Sequence, residues 1–163
     1  MATWLAIDHG TRRVGVAAGD TETRVATPVT VLPAEPAANA IAGILELAGE
    51  YDAVGLVVGW PVNMDGTEGP QGRLARDLAA RLEAACPLDV RLWDERLSSF
   101  AADDALAGQL TRKKRRAIQD AVAAGVFLQD FLNRNGPDEA PRPSSIPSSG
   151  NAPPPLEGGT KGG

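Results

Sequence analysis

The chain has 163 residues, 43% of them apolar, which suits one domain with a buried core. Its formal net charge of −5 excludes a protein that coats nucleic acid through a general basic surface, and 4% aromatic content speaks against a single-strand binder built on base stacking. No run approaches the roughly 20 apolar residues of a membrane helix, and Met1-Ala2-Thr3-Trp4 lacks the charged and apolar regions of a secretory signal, so the expected location is the cytoplasm.

Trp4-Leu5-Ala6-Ile7 is a short apolar run that ends at Asp8 and meets a turn signal at Gly10, which predicts a buried strand with Asp8 at its end. Val14 to Ala18 reads as a second strand returning beside the first, and Pro28 to Leu32 as a third, an antiparallel meander. Ile41, Ile44, Leu45 and Ala48 then follow helical spacing. Ala53 to Val58 is a β-branched-rich run that fits a strand buried on both faces. Gly59 to Pro70 is rich in turn formers and reads as a loop at the same sheet edge, without the Lys-Ser or Lys-Thr of a P-loop. Asn63, Asp65, Thr67 and Glu68 either line a cleft or serve the loop itself.

Pro70 opens a helix whose stripe is Leu74, Leu78, Leu82 and Ala85, stopped by Pro87. Asp89 to Asp94 reads as a fifth strand. Ser98 is an N-cap for a further helix, and a last helix carries Ile118, Val122, Leu128 and Leu132. The order β-β-β-α-β-α-β-α-α predicts an α/β fold with a mixed five-stranded sheet flanked by helices, because parallel neighbours need crossover connections. From Gly136 the chain turns to Pro, Ser and Gly with almost nothing to bury, so the reading is one domain over 1–135 and a disordered tail over 136–163.

Three carboxylates stand where they can converge: Asp8 after the first strand, Glu95 after the fifth and Asp120 on the last helix. Such a set supplies the oxygen ligands that Mg²⁺ or Mn²⁺ prefers, and two ions about 4 Å apart activate water and stabilise the leaving oxygen of a phosphodiester. Acids at strand ends are also commonly solvated caps, and that reading stands beside the first. Five consecutive cations, Arg112, Lys113, Lys114, Arg115 and Arg116, interrupt the acidic chain, and Lys113, Arg116 and Asp120 share one helical face. Arg12 and Arg13 form a second basic group after the first strand. An exposed Arg116–Asp120 pair alone is worth about 0.3 to 0.5 kcal/mol, and five cations exceed that need, which points to phosphate contact. His9, the single histidine, alternates with Asp8 in an extended segment and points to the opposite face, away from the chemistry. Trp93 reads as a core side chain, and the single cysteine, Cys86, as a packed thiol at a helix end.

Four segments in order, Asp8 to Gly15, Gly59 to Gly69, Asp94-Glu95-Arg96-Leu97-Ser98-Ser99 and Arg112 to Ala124, resemble the YqgF family, also called RuvX, across about Trp4 to Leu132. The resemblance implies an RNase H-like fold, a monomer or weak homodimer, and a metal-dependent nuclease that trims the 5′ end of pre-16S rRNA in ribosome biogenesis. It implies catalytic and metal-binding roles for Asp8, Glu95 and Asp120, and nucleic-acid contact by Arg12, Arg96 and Lys113 to Arg116. Departures from the family pattern are Gln119, where an aliphatic residue precedes the aspartate, and Trp60, where leucine is more frequent. Related junction resolvases carry the second acid after the fourth strand, which here makes Asp65 or Glu68 the alternative to Glu95.

Three other readings compete. Asp8-His9-Gly10-Thr11 also resembles the first phosphate loop of the actin-like ATPase and sugar-kinase superfamily, but the ordered length supplies one lobe where those proteins close two around nucleotide. A non-catalytic RNA-binding module of ribosome assembly would use the basic run and leave the acids without purpose. A nuclease for branched DNA such as Holliday junctions normally needs a stable two-fold dimer, and no dimer face is visible in the sequence.

Overall fold

The computed structural model describes residues 2–10, 12–95 and 112–145, with the helix backbone alone for 112–120. The helix expected after Ser98 lies outside the described residues. The order is β1 (Thr3–His9), β2 (Arg13–Asp20), β3 (Ala26–Pro33), α1 (Ala37–Glu50), β4 (Ala53–Trp60), α2 (Pro70–Ala85), β5 (Asp89–Asp94) and α3 (Arg112–Asn133). All five strands join one sheet in the order β3-β2-β1-β4-β5. β1, β2 and β3 pair antiparallel, while β1, β4 and β5 run parallel. Connection length explains the split: a short turn, in which the Gly10 amide donates to the Arg13 carbonyl at 2.8 Å, joins β1 to β2, whereas α1 and α2 provide crossovers.

The pleat sorts side chains between two cores. Leu5, Ile7, Leu56, Val58 and Leu92 pack with residues of α1 and α2; Trp4, Ala6, Val57 and Trp93 pack with Ala124, Phe127, Leu128 and Phe131 of α3. β4 is therefore apolar on both faces, as its sequence implied. Two helices keep part of the expected stripe, Leu78 and Leu82 in α2 and Leu128 and Leu132 in α3, and shift the rest. In α2 the buried residues are Gly72, Ala75, Leu78, Ala79 and Leu82, while Leu74 is 46% exposed. Small residues let this helix approach closely: a Cβ on Gly72 would stand 2.6 Å from the Pro61 carbonyl oxygen. In α3 Phe127 and Phe131 lead the contact, and Val122 is only partly buried.

The ordered chain also extends ten residues past the expected boundary. Residues 136–145, assigned above to the tail, form a short helical turn, α4 (Gly136–Glu139), and a 3-10 turn at Pro143–Ser145. Between them the Leu92 amide donates to the Pro141 carbonyl at 2.8 Å, and the buried Arg91 gives Nη1 to the Ala140 carbonyl at 2.6 Å while Nε holds Asp89 at 2.8 Å. Composition missed this because β5 recruits the segment through backbone groups, which need no apolar side chains. Residues 146–163 lie outside the described residues. Among the described residues, no helix is long and apolar enough to cross a membrane.

Candidate active site

Because β1, β4 and β5 are parallel, their carboxyl ends share one edge of the sheet. Ile7 pairs with Val58, so the next residues along these strands are Asp8 and Gly59; across β2, Asp8 faces Gly15. Asp8 thus stands in a row whose flanking positions carry no side chains. Glu95 follows β5 directly, and by strand alternation Asp8, Gly59 and Glu95 lie on the α3 side. A Cβ on Gly59 would come within 2.8 Å of Glu95 Oε2 and 3.1 Å of Phe127 Cε2. The Glu95 carboxyl therefore folds back over Gly59, toward Asp8, in room that glycine alone leaves.

This enclosure shapes its charge. Burial pushes the Glu95 carboxyl up to about 8, and the neighbouring charges of Asp8 and Asp94 add to the rise. Hard oxygen donors beside so small a cradle suit a divalent ion, whose charge would favour the ionised form of Glu95. Among the described residues, no group of three His, Cys, Asp or Glu side chains forms a metal cage. A third ligand from α3 is a matter of helix register. Phe127 borders Gly59 while Leu132 borders Gly19 near the opposite edge, so the earlier residues of α3 lie toward the acids. Position 120 precedes Phe127 by seven residues, about 10.5 Å of helix, on the stripe that continues through Ala124, Phe127 and Phe131.

Of the basic positions, Arg12 is exposed in the β1–β2 turn and Arg13 opens β2, half-buried. Lys113, Lys114, Arg115 and Arg116 occupy the first turns of α3, beyond position 120 from the sheet. Arg96 lies outside the described residues.

The alternative acids are engaged in building the loop. Glu68, with 3% of its side chain exposed, accepts from Trp60 Nε1 at 3.0 Å and from Arg76 Nε and Nη2 at 2.8 and 3.0 Å. Asp65 Oδ1 accepts from the Thr67 amide at 3.0 Å and its hydroxyl at 2.6 Å, and Gly66 sits at φ 88°, where glycine is unstrained. The sequence signalled neither the Trp60–Glu68–Arg76 clamp nor the space above Gly59, since both depend on pairs brought together by the fold.

His9 points to the α1/α2 face, where its Nδ1 is buried without a hydrogen-bond partner among the described residues; burial lowers its pKa, partly offset by Glu35. Gln71 Nε2 donates to the His9 carbonyl at 2.7 Å, fixing the end of β1 against α2. Trp93 packs edge-on against Phe131 in the core, and Cys86 ends α2 with its thiol toward the Leu82 carbonyl at 3.2 Å.

Comparison with known proteins agrees with this layout. A family model described as "RuvX: Holliday junction resolvase" matches residues 2–134. A protein of Anaeromyxobacter dehalogenans (strain 2CP-1 / ATCC BAA-258), named "Putative pre-16S rRNA nuclease", is 46% identical over 134 residues, 82% of this chain and 98% of that protein. A protein of the same name from Rhodobacter capsulatus is 43% identical over 129 residues, 78% of this chain and 81% of the other. Among solved structures, T. thermophilus RuvC in complex with a Holliday junction substrate aligns with a TM-score of 0.55 at 15% identity, covering 86% of this chain and 99% of that one. At that identity the likeness speaks to the fold, and it is RNase H-like.

Proposed function

The chain belongs to the RuvX family, and from that premise we propose that it is a divalent-metal-dependent nuclease of the cytoplasm that processes the 5′ end of pre-16S rRNA. Hydrolysis of phosphodiester bonds is the activity its family carries. The observation that carries the reading is the meeting of Asp8 and Glu95 over the bare backbone of Gly59, with the Glu95 carboxyl pushed up to about 8 by burial and by the charges of Asp8 and Asp94. Asp8, Glu95 and Asp120 would hold Mg²⁺ or Mn²⁺, which when bound supplies Lewis-acid stabilisation of charge developing on the phosphodiester.

The chain's own residues do the rest. Gly15 adds no side chain on one flank of Asp8, and Gly59 on the other leaves the room that the Glu95 carboxyl takes, so the two acids share the strand ends that a sugar-phosphate backbone would approach. The clamped loop over 61–69 holds its shape through Glu68 and Arg76 without drawing on the catalytic acids. Arg12, Arg13, Arg96 and Lys113 to Arg116 steer the polyanion, which compensates for the net charge of −5. The substrate is structured RNA, and the protein acts as a monomer or weak homodimer. Branched DNA is the second substrate class, favoured by the RuvC-like fold.

Incubation with precursor rRNA and with junction DNA, each with Mn²⁺, decides between them. RNA is cut, and Asp8→Asn loses at least about a hundredfold in rate, as expected when a charge-stabilising group is removed. RNA bound equally in Mn²⁺ and in chelator and never cut would sink the nuclease. Replacing Lys113, Lys114 and Arg115 by Ala lowers the slope of log affinity against log salt by about two to three; an unchanged slope removes the basic run from phosphate contact.

A further inference from the structure

On the far side of β1 from the acids, the molecule has a second concavity of about 230 Å³. His9 lies in its lining, and Glu35, Leu74, Asp77, Leu78 and Arg81 form walls and rim. From these residues we infer a subsite that takes one unstacked nucleobase of the RNA, a neighbour of the nucleotide at the scissile phosphate.

The chemistry of the lining selects this ligand class. Leu74 and Leu78 offer apolar surface, and Leu74 is 46% exposed although it belongs to a helix with ample apolar contact elsewhere. His9 Nδ1 is buried with no partner among the described residues, an omission that native interiors rarely leave. No hydrogen bond or ion pair engages Glu35, Asp77 or Arg81 among the described residues. An apolar slot edged by two carboxylates, a guanidinium and a ring nitrogen matches a flat heterocycle with donors and acceptors on its rim. It does not match a free phosphate, which would meet two carboxylates against one cation. Extruding a base costs a few kcal/mol when it is paired and least when it is already single-stranded, so the pocket would favour unpaired nucleotides.

Position links the pocket to the reaction. Asp8 and His9 are consecutive, their Cα atoms about 3.8 Å apart, and the pleat sends one to each face. A strand crossing the carboxyl edge with a phosphate at Asp8 has its adjoining nucleotide within reach of His9. Gln71, which anchors the His9 carbonyl from α2, keeps the two faces in fixed relation.

The inference rests on the nuclease reading for its substrate, but its test needs no cleavage. His9 is the chain's single histidine, so one imidazole signal reports on the pocket. The whole chain carrying Asp8→Asn, labelled with ¹⁵N, is titrated without metal with the four common nucleosides, with a short single-stranded RNA of mixed sequence, and with inorganic phosphate. A saturable shift of the His9 Nδ1 resonance is expected with the RNA and with at least one nucleoside, and none with phosphate. Leu74→Trp, at an exposed position that tolerates bulk, fills the slot and abolishes the shift, whereas Leu74→Ile retains it.

A silent His9 with every nucleoside and with RNA overturns the subsite, as does a shift produced by phosphate. A response to nucleosides but not to RNA reassigns the pocket to a free nucleotide and overturns the substrate role. Metal-dependent cleavage of RNA at full rate by Leu74→Trp, whose slot is filled, rejects the pocket as a substrate subsite and leaves the nuclease standing. A base-dependent shift in a protein that never cleaves rejects the nuclease and leaves the pocket.

Discussion

Glu95 carries the sharpest consequence of this geometry. Its carboxyl titrates near 8 in the folded chain against 4.5 when unfolded, so the folded state holds the proton more tightly. The sign follows: stability of the metal-free protein is unaffected by this group below about pH 4.5, falls as pH rises from about 4.5 to about 8, and levels off above. The slope is on the order of 1.4 kcal/mol per pH unit inside that window. Melting temperatures across the range should show the fall, Glu95→Gln should flatten it, and added Mg²⁺ should oppose it by competing with the proton. A slope identical in Glu95→Gln assigns the effect elsewhere. At this scale the sequence was informative about type and poor about partnership. Asp8 and Glu95 were visible as acids at strand ends, with Asp65 or Glu68 standing as the alternative to Glu95. In the fold Trp60 and Arg76 occupy both oxygens of Glu68, while Gly59 makes room for the Glu95 carboxyl.

The strands, α1 and α2 followed from periodicity because each buries a face wide enough to set its own pattern. Helix rotation was less legible: Leu74 and Ala75 compete for the core, and close approach through Gly72 settles the contest in favour of alanine. The loop between β4 and α2 is an element in its own right, tied by Asn63, Asp65 and Thr67 and pinned by Glu68 to Arg76. Arg76→Ala leaves the buried Glu68 carboxylate with Trp60 as its remaining side-chain partner. The expected destabilisation is about 1 to 3 kcal/mol, measured by denaturant unfolding. The double variant with Glu68→Gln should recover part of that loss, since no buried charge is then stranded. Loss confined to Arg76→Ala at under about 0.5 kcal/mol would demote the clamp to a surface pair.

For the whole molecule, the sheet presents charge on one end and closes itself along one side. The family match ends at residue 134, whereas the described structure continues in a short segment to 145. Composition concealed it because Pro141 and Ala140 act through their carbonyls, with Arg91 and Asp89 inside the fold supplying the other half. Ending the chain at Asn135 strips the free margin of β5, exposes the Leu92 amide and leaves the buried Arg91 short of a partner. A melting temperature lower by about 2 to 4 °C for each 1 kcal/mol lost is expected, together with concentration-dependent self-association read by light scattering. An unchanged melting point and a monodisperse shortened protein would count against this. The segment also has a direction: from Pro141 beside Leu92 it passes Asp89 and reaches Glu83 near the end of α2, receding from the strand ends that hold the acids. A probe attached at Ser145 would accordingly sit at the rear of the molecule and report from there without crowding the working edge.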